Sequence, residues 1–134
     1  KNSKLHAAPL TNGAKLGILH GAAAYVCQNS EGQINDTASI SAGLDYPGVS
    51  PIHCFLKDTK RARYTSATDE AALNAYKLVT KLEKINPSLE PSHAFAEAIK
   101  IAPKLNKDTI IIVNSCGDAK KDRDILKERL GKIN

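Results

Sequence analysis

The hydrophobic and polar positions along the chain fall into segments of different period. The clearest begins at Thr68, where Ala72, Leu73, Tyr76, Val79 and Leu82 recur at helical spacing and Lys77, Lys81 and Lys84 fall on the opposite side. Thr68 suits the cap position, and Asp69 and Glu70 sit where a helix dipole favours acids. Asn86-Pro-Ser-Leu-Glu90 breaks this helix. A second is expected from about Ser92, burying Phe95, Ala98, Ile99 and Ala102 until Pro103. Lys120 to Gly131 predicts a terminal amphipathic helix with Ile125, Leu126, Leu130 and Ile133 inward. Pro51-Ile-His-Cys-Phe-Leu56 can begin another, because proline suits the first helical position.

Strand signals are shorter. Thr109 to Val113 is an unbroken β-branched run, the pattern of a strand buried on both faces. Arg63 to Ala67 and Leu16 to His20 read as short strands, the latter alternatively as a turn. Asn29-Ser-Glu-Gly-Gln33 has hairpin-tip chemistry. Asn35 to Ser50 reads as loop, with a helical turn near Ala38 to Ala42. Strand, helix, helix, strand, helix in this order points to an α/β layer arrangement.

At 134 residues the chain has room for one core, so a single domain over 1–134 is expected. An apolar share of 42% and a charged share of 25% are those of a globular protein. No apolar run approaches a membrane span, and Lys1-Asn-Ser-Lys-Leu-His6 leads into no signal-peptide core. The charge of +5 names no partner. Its Lys-rich tail alternates signs, and the few aromatics are not interleaved with basic residues, so nucleic-acid binding is not expected. Three distant cysteines, Cys27, Cys54 and Cys116, read as reduced thiols of a cytoplasmic protein. The start at Lys1, with no Met anywhere, reads as the downstream part of a longer chain.

Two places carry candidate chemistry. Cys116 ends the apolar run in Asn114-Ser-Cys-Gly117, where α/β proteins commonly handle ligands. A phosphatase-type cysteine wants an arginine about six residues on, and position 122 is Asp. A protease-type cysteine needs a histidine that spacing alone does not supply. A polar strand terminus remains open. Asp45 lies between Gly43 and the Pro47-Gly48 turn, on a loop tightly specified in backbone. A functional acid and a local Asx turn both fit it. Glu90 at a helix start is explained equally by the dipole.

Ser39-Ile-Ser-Ala-Gly-Leu-Asp-Tyr-Pro-Gly-Val49, Ala67-Thr-Asp-Glu-Ala71, Pro87-Ser-Leu-Glu-Pro-Ser-His-Ala94 and the Thr109 run closely resemble the tryptophan synthase β chain. His6-Ala-Ala-Pro-Leu10 and Glu31-Gly-Gln33 fit the same family. The resemblance covers almost the whole chain but only the C-terminal third or so of the family. It implies part of the type II pyridoxal-phosphate fold, a partial three-layer sheet with flanking helices. The implied activity is β-replacement, which makes L-tryptophan and water from L-serine and indole.

The matched positions carry implied roles. Asp45 is the loop carboxylate near the serine β-hydroxyl. Backbone carbonyls of Ala7, Leu44, Tyr46 and Gly48 hold a monovalent cation, K or Na. Leu19 and His20 line the indole tunnel, where the family usually has aromatics. Glu90 lies beside the cofactor ring, with Cys116 and Gly117 at the pyridine nitrogen. Cys116 stands where the family usually has Ser; neither side chain holds that nitrogen protonated, which favours elimination over transamination. A thiol is the weaker hydrogen-bonder.

The family's next residues, Gly-Arg-Gly-Asp-Lys-Asp, are here Gly117-Asp-Ala-Lys-Lys-Asp122, without the arginine, and Pro91 replaces a usual Ser. The Schiff-base lysine, the phosphate loop and the substrate-carboxylate segment lie upstream in the family and are not in this sequence. The resemblance therefore implies a piece inactive alone, partnered in the complete enzyme by an α chain and a second β chain. A non-catalytic α/β binding or regulatory module, or another β-eliminase of the superfamily, are the alternatives.

Overall fold

The computed structural model describes residues 5–131. They fall into two compact units divided after Ser66.

The first unit holds the only sheet among the described residues. Strands β1 (Lys15–Leu19) and β2 (Ala22–Val26) pair antiparallel, Lys15 opposite Val26 and Leu19 opposite Ala22. His20 and Gly21 join them with φ of 52° and 75°. Two left-handed residues in a row are what a tight hairpin requires, because they match the strands' right-handed twist. Beyond β2 the chain closes a small loop by the bridge between Gln28 and Ile34, with Asn29 Oδ1 accepting the Glu31 and Gln33 amides. Residues 35–50 are loop, with a turn where the Leu44 and Asp45 amides donate to the Ser41 carbonyl.

Helix α1 (Pro51–Asp58) follows, with Pro51 in its first turn and Ser50 Oγ accepting the Ile52 amide. Leu10, Ala24, Val26 and Cys54 form the unit's core, with Leu19, Tyr25, Val49 and Tyr64 packed against it.

The second unit is helical. In α2 (Asp69–Glu83), Thr68 caps the Ala71 amide and Lys84 ends the helix in a left-handed conformation, as Asn86-Pro87 approach. Its buried stripe is Ala72, Ala75, Tyr76 and Val79, and it packs on α3 (Leu89–Ile101). A short 3-10 turn, Ala119–Asp122, leads into α4 (Arg123–Leu130), whose buried residue is Leu126. Ile133 lies outside the described residues.

Three expectations are corrected. Thr109 to Val113 forms no strand, and Ile110 and Ile112 are 86% and 91% exposed. The run has the propensity for a strand, but no second strand lies beside it among the described residues, so its ladder and both faces go unmatched. Arg63 to Ala67 is likewise irregular. Helix α3 starts three residues earlier than expected and buries Leu89, Pro91 and Ser92, while Ile99 and Ala102 are exposed. Pro91 does not delay the helix, because an amide in the first turn has no intrahelical acceptor to lose.

Candidate functional site

Each unit gathers part of the expected site. In the first, the hairpin tip meets the loop around Asp45. Leu19 Cδ2 lies 2.5 Å from where a Cβ on Gly48 would stand, so only glycine admits the leucine there without a shift. His20 Nε2 and the Tyr46 hydroxyl hydrogen-bond, and their rings stack at 6.0 Å with a 19° interplanar angle. Leu19, His20, Tyr46 and Val49 help line an open cleft of about 270 Å³ with largely apolar walls.

Asp45 is exposed on this loop. Its carboxylate accepts no backbone amide among the described residues; the turn is made instead by its own amide on the Ser41 carbonyl. An Asx turn therefore does not explain the residue. The Leu44 carbonyl accepts the Tyr46 amide at 2.9 Å, and Gly48 bridges to Val26. Since a carbonyl oxygen has two lone pairs, Leu44 retains capacity for a cation. No cluster of three His, Cys, Asp or Glu side chains suits a metal among the described residues, so a cation here depends on backbone oxygens.

In the second unit, Glu90, Cys116 and Gly117 come together around the start of α3. Ser88 Oγ donates to the Cys116 carbonyl at 2.9 Å. Gly117 has φ +86°, and a Cβ on it would stand 2.5 Å from Ser88 Oγ and 3.6 Å from Glu90 Oε2. The turn is thus pressed onto the helix start, leaving Cys116 exposed. Lys121 Nζ reaches Glu90 at 2.6 Å and Asp122 at 3.1 Å. Burial opposes the ammonium charge, but the hydrogen bonds and charges of Glu90 and Asp122 outweigh it and raise the Lys121 pKa. The cluster thus sets a carboxylate balanced by an ammonium close to the turn that carries an exposed thiol, a weak hydrogen-bond donor.

Sequence reasoning missed Ser88 and Asp122 as members of this cluster, and the His20–Tyr46 pair. Ser88 lies 28 residues from Cys116 and His20 lies 26 from Tyr46; no local period reports pairing over such distances. The one available signal was Ser88 preceding a helix whose first amide needed an acceptor.

The first class defined is an α/β protein whose candidate groups sit on turns, between hairpin tip and loop in one unit and at a helix start in the other. No family model matches the chain. It is 52% identical over 130 residues to the tryptophan synthase beta chain of Bordetella petrii, covering 97% of this chain and 32% of that relative. The counterpart in Chromobacterium violaceum is 53% identical over 117 residues, 87% of this chain and 29% of the relative. That of Bordetella pertussis is 49% identical over 126 residues, 94% and 31%. The chain is a homologue of the tryptophan synthase β chain. It spans about a third of the length of the curated relatives it matches, consistent with a C-terminal portion.

Proposed function

We propose that this chain is the C-terminal part of a tryptophan synthase β-type enzyme with the type II pyridoxal-phosphate fold, in which L-serine and indole give L-tryptophan and water. The match at 52% identity along 97% of the chain carries this reading. In it, residues 1–134 are one domain of the longer, cytoplasmic protein, and that protein works with an α chain and a second β chain.

Pyridoxal phosphate, when bound, supplies the electron sink for exchange at the serine β-carbon. The chain's own residues then have separate tasks. Asp45, exposed and with its carboxylate left out of the turn made by its amide, meets the region of the serine hydroxyl as it leaves. Leu19 and His20, on a cleft with apolar walls, guide the indole. Carbonyls of Ala7, Leu44, Tyr46 and Gly48 hold a K or Na ion that stiffens the loop. Glu90 would flank the ring, its charge balanced by Lys121. Cys116 would face the ring nitrogen with a neutral thiol, which lacks the carboxylate charge that would keep that nitrogen protonated.

Because the Schiff-base lysine is not in this sequence, the 134-residue chain does not turn serine over alone. Mixing it with pyridoxal phosphate and serine should change the cofactor's absorbance no more than serine does without protein, while the complete protein shows a further serine-dependent change and forms tryptophan from indole. A serine-dependent spectral change from the isolated chain beyond that of cofactor and serine alone would overturn its incompleteness. Failure of the complete protein to form tryptophan would overturn the activity.

A further inference from the structure

We propose that Asp122 is a positioning residue for Cys116, holding the turn that carries the thiol against the start of α3. The inference rests on the reading of Cys116 as the group at the ring nitrogen and adds the device that aims it.

Ser88 occupies the cap position of α3, yet its side chain caps no amide of that helix. Its hydroxyl is committed to the Cys116 carbonyl. The acceptor that the helix start lacks comes from elsewhere: Asp122 Oδ2 takes the Leu89 amide at 2.7 Å. The two adjacent residues Ser88 and Leu89 therefore tether both ends of the segment 116–122. Asp118 Oδ1 accepts the Lys120 amide midway, which shapes the path between the tethers.

Asp122 is only 3% exposed, and a carboxylate so buried persists where its partners are fixed. The Leu89 amide and the Lys121 ammonium are those partners. Lys121 also reaches Glu90, so the same carboxylate helps locate the acid beside Cys116. Gly117, pressed on Ser88 Oγ, leaves the turn little room to settle otherwise once both tethers hold.

Two experiments test this. In the 134-residue chain, hydrogen exchange is followed over residues 114–119. Asp122→Ala should raise exchange there about ten-fold while α2 is unchanged, and Asp122→Asn, which keeps an acceptor for the Leu89 amide, should stay within about three-fold. Ser88→Ala, removing the other tether, should give the same local rise and serves if the Asp122→Ala chain does not fold.

In the complete holoenzyme, Asp122→Ala should lower kcat about ten-fold with little change in the KM for serine. It should also erase the rate difference between the parent and Cys116→Ala. Additive effects of Asp122→Ala and Cys116→Ala, or unchanged exchange at 114–119, would overturn the proposal. If Cys116→Ser and Cys116→Ala both leave the bound cofactor's absorbance unchanged, the reading of Cys116 itself fails. The exchange data still judge the tether.

Discussion

Gly117 is the residue at which conformation and contact coincide. Its φ of +86° strains any side chain, and Ser88 Oγ occupies the space a Cβ would need. Gly117→Ala should therefore lower the stability of the second unit by about 1–3 kcal/mol, read as a lower urea midpoint. Leu89 is fully buried, and Leu89→Ala should cost about 2–5 kcal/mol through the cavity it leaves. Equal midpoints for parent and variants would show that the turn and the α3 start relax freely. Cys116 differs from both, since it is exposed. Cys116→Ser in the complete enzyme should preserve or raise tryptophan synthesis. A collapse in activity with cofactor still bound would remove its role at the ring nitrogen.

At the scale of elements, α1 and α2 each start on a local device. Thr68 receives the Ala71 amide at the start of α2, so Thr68→Ala should destabilise that helix by about 1 kcal/mol in thermal or urea unfolding. Such devices explain what was legible in the sequence. Thr68 with its acids, Pro51 at the first position and the 3.6-residue stripe of α2 are all written within one or two turns. The hairpin was half legible: Leu16 to His20 suggested a strand or turn, while Ala22 to Val26 is apolar without a clear period. Thr109 to Val113 misled because propensity reports what a backbone can adopt, whereas a strand exists only beside another. The α3 start was missed through Pro91, a residue that breaks helices except in their first turn. Of the candidate site, the resemblance joined Glu90 to Cys116. The tethers through Ser88 and Asp122 depend on tertiary proximity, and no spacing announces them.

For the molecule as a whole, the resolved titrations point in one direction. Burial raises the Cys27 thiol above its usual 9.0. The hydrogen bond and charge of Asp58 raise the Tyr25 phenol above 10.0. The Glu90 and Asp122 contacts raise Lys121 above 10.5 against its desolvation. A raised folded pKa means that the native state holds its proton more tightly than the unfolded chain does. The stability these groups contribute is thus fully present below their ordinary values and is lost as pH rises through the folded ones. Urea midpoints should be lower at about pH 10.5 than at about pH 8, and Tyr25→Phe should flatten part of that fall.

The uncovered run from Thr109 to Val113 has one more consequence. Five residues of high β-propensity, without charge or proline and with Ile110 and Ile112 turned to water, have the make-up of a segment that stacks copy upon copy. The chain by itself should become turbid as its concentration rises, through growth of fibrillar strands rather than through unfolding. Ile112→Lys, placed at the most exposed isoleucine, should delay the scattering and thioflavin signals while leaving the helical circular dichroism unchanged.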